Sequence, residues 1–109
     1  MLEKVDIIEI FSTRRSITPS GDYNMELNEY DVVRVKSLIL SEKERGNLGS
    51  ESIKRKPVIG DIGTIVHVHK NKSGQTEAFI VECNNKDGLS YWISDFLPIE
   101  LELVKKYSS

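Results

Sequence analysis

His67 and His69 stand two apart and alternate with valine, so on a strand both rings leave the same face, a spacing from which a strand can offer two metal ligands. Cys83 is the only thiol that could complete such a set. Folding a hairpin about Ser73 and Gly74 sets Cys83 opposite Gly63 or Thr64, three or four residues from His67. At ~3.3 Å per residue that is roughly 10 Å or more along the strand, beyond any shared coordination sphere. The expectation is no metal site and no cofactor, with two surface histidines and a buried structural cysteine. The same separation keeps a histidine base away from the thiol, so nucleophilic cysteine chemistry is not expected either.

Other chemistry-bearing types have structural explanations. Carboxylates such as Glu82 with Asp95, or Glu100 with Glu102, alternate with apolar residues, which is the pattern of a solvated sheet face rather than of an acid and base pair. Gly60-Asp61-Ile62-Gly63 lacks the spacing of a phosphate-binding loop and precedes a strand signal, not a helix. Its glycines suit a positive-φ turn or a bulge at the strand's start. Lys54-Arg55-Lys56 and Arg14-Arg15 are the concentrated cations, and aromatic residues such as Tyr91, Trp92 and Phe96 could stack on bases. The triplet, however, falls in a charged loop, as solvated surface does.

Trp92 is the single tryptophan. Strand alternation groups it with Ser90 and Ser94, opposite Leu89, Tyr91 and Ile93, which form the expected core face. Trp92 then projects outward unless the long loop or the N-terminal segment covers it, and an exposed tryptophan is an anchor for a protein partner. Glu77, Glu82, Asp95, Glu100 and Glu102 would give it an acidic surround.

These residues must be positioned by short strands. Tyr30 to Leu38 is rich in β-branched residues, with Val33 and Val35 on one side of the pleat and Arg34 and Lys36 on the other. Ser41 to Pro57 is polar and interrupted by glycine, a long exposed loop with one helical turn at Ser41 to Arg45. Val58 to His69 reads as a turn followed by a strand, joined through Asn71 to Gln75 to a strand at Thr76 to Cys83, and a further strand follows at Leu89 to Ser94 after the turn Asn84 to Gly88. Past a tight turn at Asp95 to Pro98, Ile99, Leu101 and Leu103 alternate with Glu100 and Glu102 in a last strand. Five short strands with tight connections suit a small closed or half-closed antiparallel barrel, because closure hides edges. Residues 1–29 are expected to form an N-terminal extension packing on a barrel of residues 30–109. Its Val5 to Phe11 run favours a strand, while Leu2, Val5 and Ile8 keep helical spacing.

The chain has 109 residues, 39% hydrophobic and 29% charged, enough for one core that buries roughly two-thirds of the extended surface. One cysteine excludes an intramolecular disulfide. The start MLEKVDIIEI lacks the basic-then-apolar order of a secretory signal, and no apolar run approaches the ~20 residues of a membrane span, so a cytoplasmic chain with no membrane partner is expected. Ten basic and ten acidic residues up to Val58, then five and seven beyond it, place the whole net charge of −2 in the C-terminal half. That balance favours a basic protein partner over nucleic acid.

Tyr30-Asp31-Val32-Val33-Arg34-Val35, Gly60-Asp61-Ile62-Gly63-Thr64-Ile65-Val66, Ala78 to Cys83 and Leu89 to Ile93 together resemble a family of small bacterial SH3-like barrels of unknown function. The likeness covers Tyr30 to Val104, and its most specific piece is Gly60 to Val66. The loop Ser41 to Pro57 looks longer than the family's, and residues 1–29 have no counterpart. Members of such families often look like immunity proteins encoded beside toxins. The resemblance implies a non-catalytic binder of a cognate, basic toxin domain, with a nucleic-acid-binding small barrel as the alternative.

Overall fold

A computed structural model describes residues 26–107. Among the described residues there are five strands: β1 (Val32–Val35), β2 (Ile62–Lys70), β3 (Thr76–Asn84), β4 (Ser90–Phe96) and β5 (Leu101–Lys105). One helical turn, α1 (Glu42–Arg45), follows β1, and a 3₁₀ turn, Pro98–Glu100, precedes β5. All pairings are antiparallel in the order β4-β3-β2-β1-β5, so the last strand returns beside the first. The protein is mainly β, with the expected five strands. Among the described residues β4 and β5 do not pair, so the sheet is open and not a closed barrel. No helix among them is long and apolar enough to cross a membrane. Residues 1–25, with Arg14, Arg15 and the expected N-terminal strand or helix, lie outside the described residues.

The core consists of Val33, Val35, Ile65, Phe79, Val81, Cys83, Trp92, Phe96 and Leu101, with Leu27, Val68 and Tyr91 packed against it. Two register breaks decide which residues join it. Ile65 pairs with Val81 but His67 with Ile80, so Val66 is an extra residue. The bulge reverses the alternation, turning Val68 inward and His67 and His69 outward. The second break lies between Cys83 and Asn84. Cys83 faces inward and pairs with Trp92, which therefore faces inward too.

This overturns the expected core face of β4. The buried positions are Trp92, Ser94 and Phe96, and Trp92 is 0% exposed, whereas Leu89 sits exposed in the turn. Alternation defines two faces without saying which is inner. Phe96, one period beyond Ser94, decides it: its ring lies 5.2 Å from that of Trp92, and two large aromatics outweigh Tyr91 and Ile93 in apolar area.

The long loop departs from expectation in a different way. Its helical turn forms where predicted, with a capping box in which Ser41 Oγ accepts from Glu44 N at 3.1 Å and Glu44 Oε1 from Ser41 N at 3.0 Å. The rest is not a free loop but the cover of the β4 edge. Leu48 N donates to Ile93 O (2.9 Å), Ser50 N to Ser90 O (2.9 Å) and Arg55 N to Tyr91 O (3.1 Å). Gly49 makes the approach possible, since a Cβ there would lie 2.3 Å from the Tyr91 carbonyl oxygen. An edge that could recruit a foreign strand is thus occupied from within.

Candidate functional site

Three carboxylates sit one residue ahead of strands β1, β2 and β5, and each gathers distant parts of the chain. Glu100 is 0% exposed and meets Arg45 through two bonds, Nη1 to Oε1 at 3.1 Å and Nη2 to Oε2 at 2.7 Å. It also accepts from the backbone of Leu97 (2.8 Å), Leu40 (3.0 Å) and Ile39. The other Arg45 Nη donors go to the carbonyls of Asp95 and Leu40, both at 3.0 Å, and its guanidinium lies 4.5 Å over the Phe96 ring. A buried pair this fully bonded meets the conditions under which burying charge is tolerable.

Asp61 binds Arg55 through both oxygens (2.9 and 3.2 Å) and accepts from Val58 N (3.0 Å) and Trp92 Nε1 (2.9 Å). Burial alone would push its carboxyl up, but these donors outweigh burial and hold it below the usual value. Arg55 is raised in turn, chiefly by its bond to Asp61, and its guanidinium lies 4.3 Å over Tyr91. Asp31 accepts from Lys106 Nζ (2.7 Å), Asn28 N (2.8 Å) and Tyr107 N (2.9 Å). Burial is again outweighed by these bonds, Lys106's the largest, and its pKa is lowered.

The histidines and the cysteine weighed as ligands or nucleophile do not gather at one place. His67 and His69 are exposed neighbours with ring centroids 4.8 Å apart, and Cys83 is buried. Burial, with a contribution from the Asp61 charge, raises the Cys83 thiol pKa and leaves it a poor nucleophile. Among the described residues no three His, Cys, Asp or Glu side chains gather as a metal-holding group. Every cation of the basic triplet has a carboxylate: Lys54 with Glu51 (3.2 Å), Arg55 with Asp61 and Lys56 with Glu42 (2.8 Å).

Only some of the side chains expected around Trp92 lie together. Trp92, enclosed in the core, has no face to offer a partner. Glu100 is also interior, because the 3₁₀ turn breaks the strand alternation that would have pointed it outward. Glu102 pairs with Arg34 at 3.0 Å on β1 and β5, at the other end of the sheet. Glu77 is exposed at the start of β3 but shares the parity of Phe79, not of Glu82.

Glu82 and Asp95 do come together. Glu82 pairs across strands with Ile93, and Ile80 with Asp95, so two carboxylates and two isoleucines form a checkerboard on the outer face of β3 and β4. Diagonal positions of this kind lie roughly 7–8 Å apart. Glu82 is tied to its neighbour by a hydrogen bond from Ser90 Oγ. The row continues through the pairing of Ile80 with His67, whose Nδ1 lies 3.9 Å from Glu29 Oε2.

Asp31, Asp61 and Arg45, the hinges of this arrangement, escaped the sequence reading. One signal was available for Asp61: a buried tryptophan needs an acceptor for its N–H, and an aspartate between two glycines is free to reach one. Comparison with known protein families, characterised proteins and solved structures finds nothing that matches this chain.

Proposed function

We propose that this chain is a non-catalytic protein-binding module acting in the cytoplasm, a bacterial immunity protein that neutralises a cognate toxin, a basic nuclease being the first candidate, by covering its active site. The observation that carries this reading is the checkerboard of Ile80, Glu82, Ile93 and Asp95. It sets half-buried apolar and acidic side chains side by side on one outer sheet face, the combination that meets a cationic cleft. The resemblance noted from Tyr30 to Val104 supports the same reading. The nucleic-acid alternative loses support because Lys54, Arg55 and Lys56 are each neutralised by a carboxylate of the same fold.

The test is titration calorimetry against the protein encoded immediately upstream. Glu82→Lys with Asp95→Lys should weaken the complex at least tenfold, a change of about 1.4 kcal/mol, and most of it should appear in the association rate. Unchanged binding by the doubly reversed variant, or salt-sensitive capture of RNA or DNA with no protein ligand, overturns the reading.

A further inference from the structure

Tyr30 is the only described residue other than glycine with a left-handed backbone, at φ 74°. A bulky side chain is a poor occupant of that region, and glycine would fit it more easily. Nor is the ring spent on the core, for Tyr30 is 51% exposed and leans on Tyr107, itself 71% exposed, at 5.3 Å between centroids and 58° between planes. The pair is held in place from behind. Tyr30 N donates to Ile65 O at 2.7 Å, and Tyr107 N to Asp31 Oδ1 at 2.9 Å. The Asp31 anchor thus presents two exposed aromatic rings on a fixed backbone, where the fold itself gains little from them.

A groove of about 470 Å³ opens beside Tyr30, and its charged lining is Glu26, Glu29 and Lys70, two carboxylates to one ammonium. Glu29 is half exposed and continues, through His67, the outer row of Ile80 and Asp95. Ring faces attract cations, and Glu29, lining the groove that Tyr30 borders, adds the directed acceptor that a guanidinium's fork uses best. A nucleobase could stack on the same rings, but Glu26 and Glu29 would repel its phosphates.

Resting on the reading of this chain as a binder of a basic protein, the geometry points to Tyr30, Tyr107 and Glu29 as the receptor for one arginine side chain of that partner. His67, paired with Ile80 and 3.9 Å from Glu29, links this receptor to the checkerboard.

The test is an NMR titration of the full chain with the peptide acetyl-Gly-Arg-Gly-amide, with acetyl-Gly-Glu-Gly-amide and hexauridylate as the contrasting probes. Saturable ring-proton shifts confined to Tyr30 and Tyr107 are expected with the arginine peptide alone. Tyr107→Leu and Glu29→Gln should each weaken them about fivefold, the scale of one exposed cation–π contact. Tyr30→Gly should raise the thermal midpoint while abolishing the shifts, which separates loss of the receptor from loss of the fold. Absent shifts, an affinity left unchanged by Tyr107→Leu, or hexauridylate binding at this pair overturn the proposal. A receptor that fails here leaves the toxin-binding reading to the Glu82 and Asp95 variants, whose calorimetry does not involve Tyr30 or Tyr107.

Discussion

The turns at Asn71 and Asn85 do for two hairpins what Asp31, Asp61 and Glu100 do for three strand starts: a side-chain oxygen accepts backbone N–H groups that a loop would otherwise leave unpaired. The scale differs. Asn71 Oδ1 takes Ser73 N (2.8 Å) and Gln75 N (3.0 Å), and Asn85 Oδ1 takes Asp87 N (2.9 Å) and Leu89 N (3.0 Å), all within four residues and exposed. Glu100 reaches Arg45 at a separation of 55 residues, and Asp31 reaches Lys106 at 75. A neutral amide suffices where water shares the work. Where the loop is buried, the stronger carboxylate acceptor is needed, and its charge then obliges the chain to bring a cation from elsewhere. The first kind of anchor shapes a turn before the fold exists, and the second forms only with it.

The sharpest way to break this contrast is Glu100→Gln, which keeps the shape but leaves the Arg45 guanidinium buried without its counter-charge. Removing one partner of such a pair costs about 3–5 kcal/mol, a large share of the ~5–15 kcal/mol that holds a domain of this size together. Chemical denaturation should show it. So should the alkylation rate of Cys83, a buried thiol that is reached only when the sheet opens. A cost under about 1 kcal/mol would mean the pair is structurally idle.

The Asp61 and Asp31 anchors carry a pH signature. Their folded pKa values lie below the ordinary carboxylate value, so the stability they supply is complete above the unfolded pKa near ~4. It is lost as pH falls through the depressed folded values, because the unfolded chain then binds protons more readily. Asp61→Asn should cost about 2 kcal/mol at neutral pH, by weakening the Arg55 and Trp92 bonds, and should flatten the acid limb of the stability curve. An unaltered acid limb in both Asp61→Asn and Asp31→Asn would remove these carboxylates from the pH response.

The same contrast explains what could be seen in the residues beforehand. Both Asn-Lys-x-Gly turns, the strand count, the helical turn at Ser41 to Arg45 and the outward placement of Arg34 against Val33 and Val35 are short-range patterns, and they match the structure. The inward side of β4 was missed because alternation is symmetric and Val66 and Tyr91 shift the register without a compositional mark. The role of Glu100 was missed because a glutamate between Ile99 and Leu101 looks like a strand's wet face until the 3₁₀ turn and Arg45 are in place. Of the expected partner surface, Glu82 and Asp95 remain because their positions depend only on the β3–β4 pairing. Trp92, whose exposure depended on choosing the face, does not.

The smallest effect is the most discriminating for the comparison. Asn85→Ala removes two exposed, local hydrogen bonds and strands no charge, so it should cost about 1 kcal/mol or less. It should do so equally at pH 7 and pH 3, since no titrating group is lost. Gly88, at φ 87°, still fits the reversal without strain, so the hairpin keeps its register and only its closing bonds weaken. Hydrogen exchange should accordingly quicken at Asp87 and Leu89 and stay unchanged at Val81 and Trp92. Quickened exchange at those core amides as well would show that this turn, like the carboxylates, is tied to the whole fold, and the distinction between local and global anchors would fall.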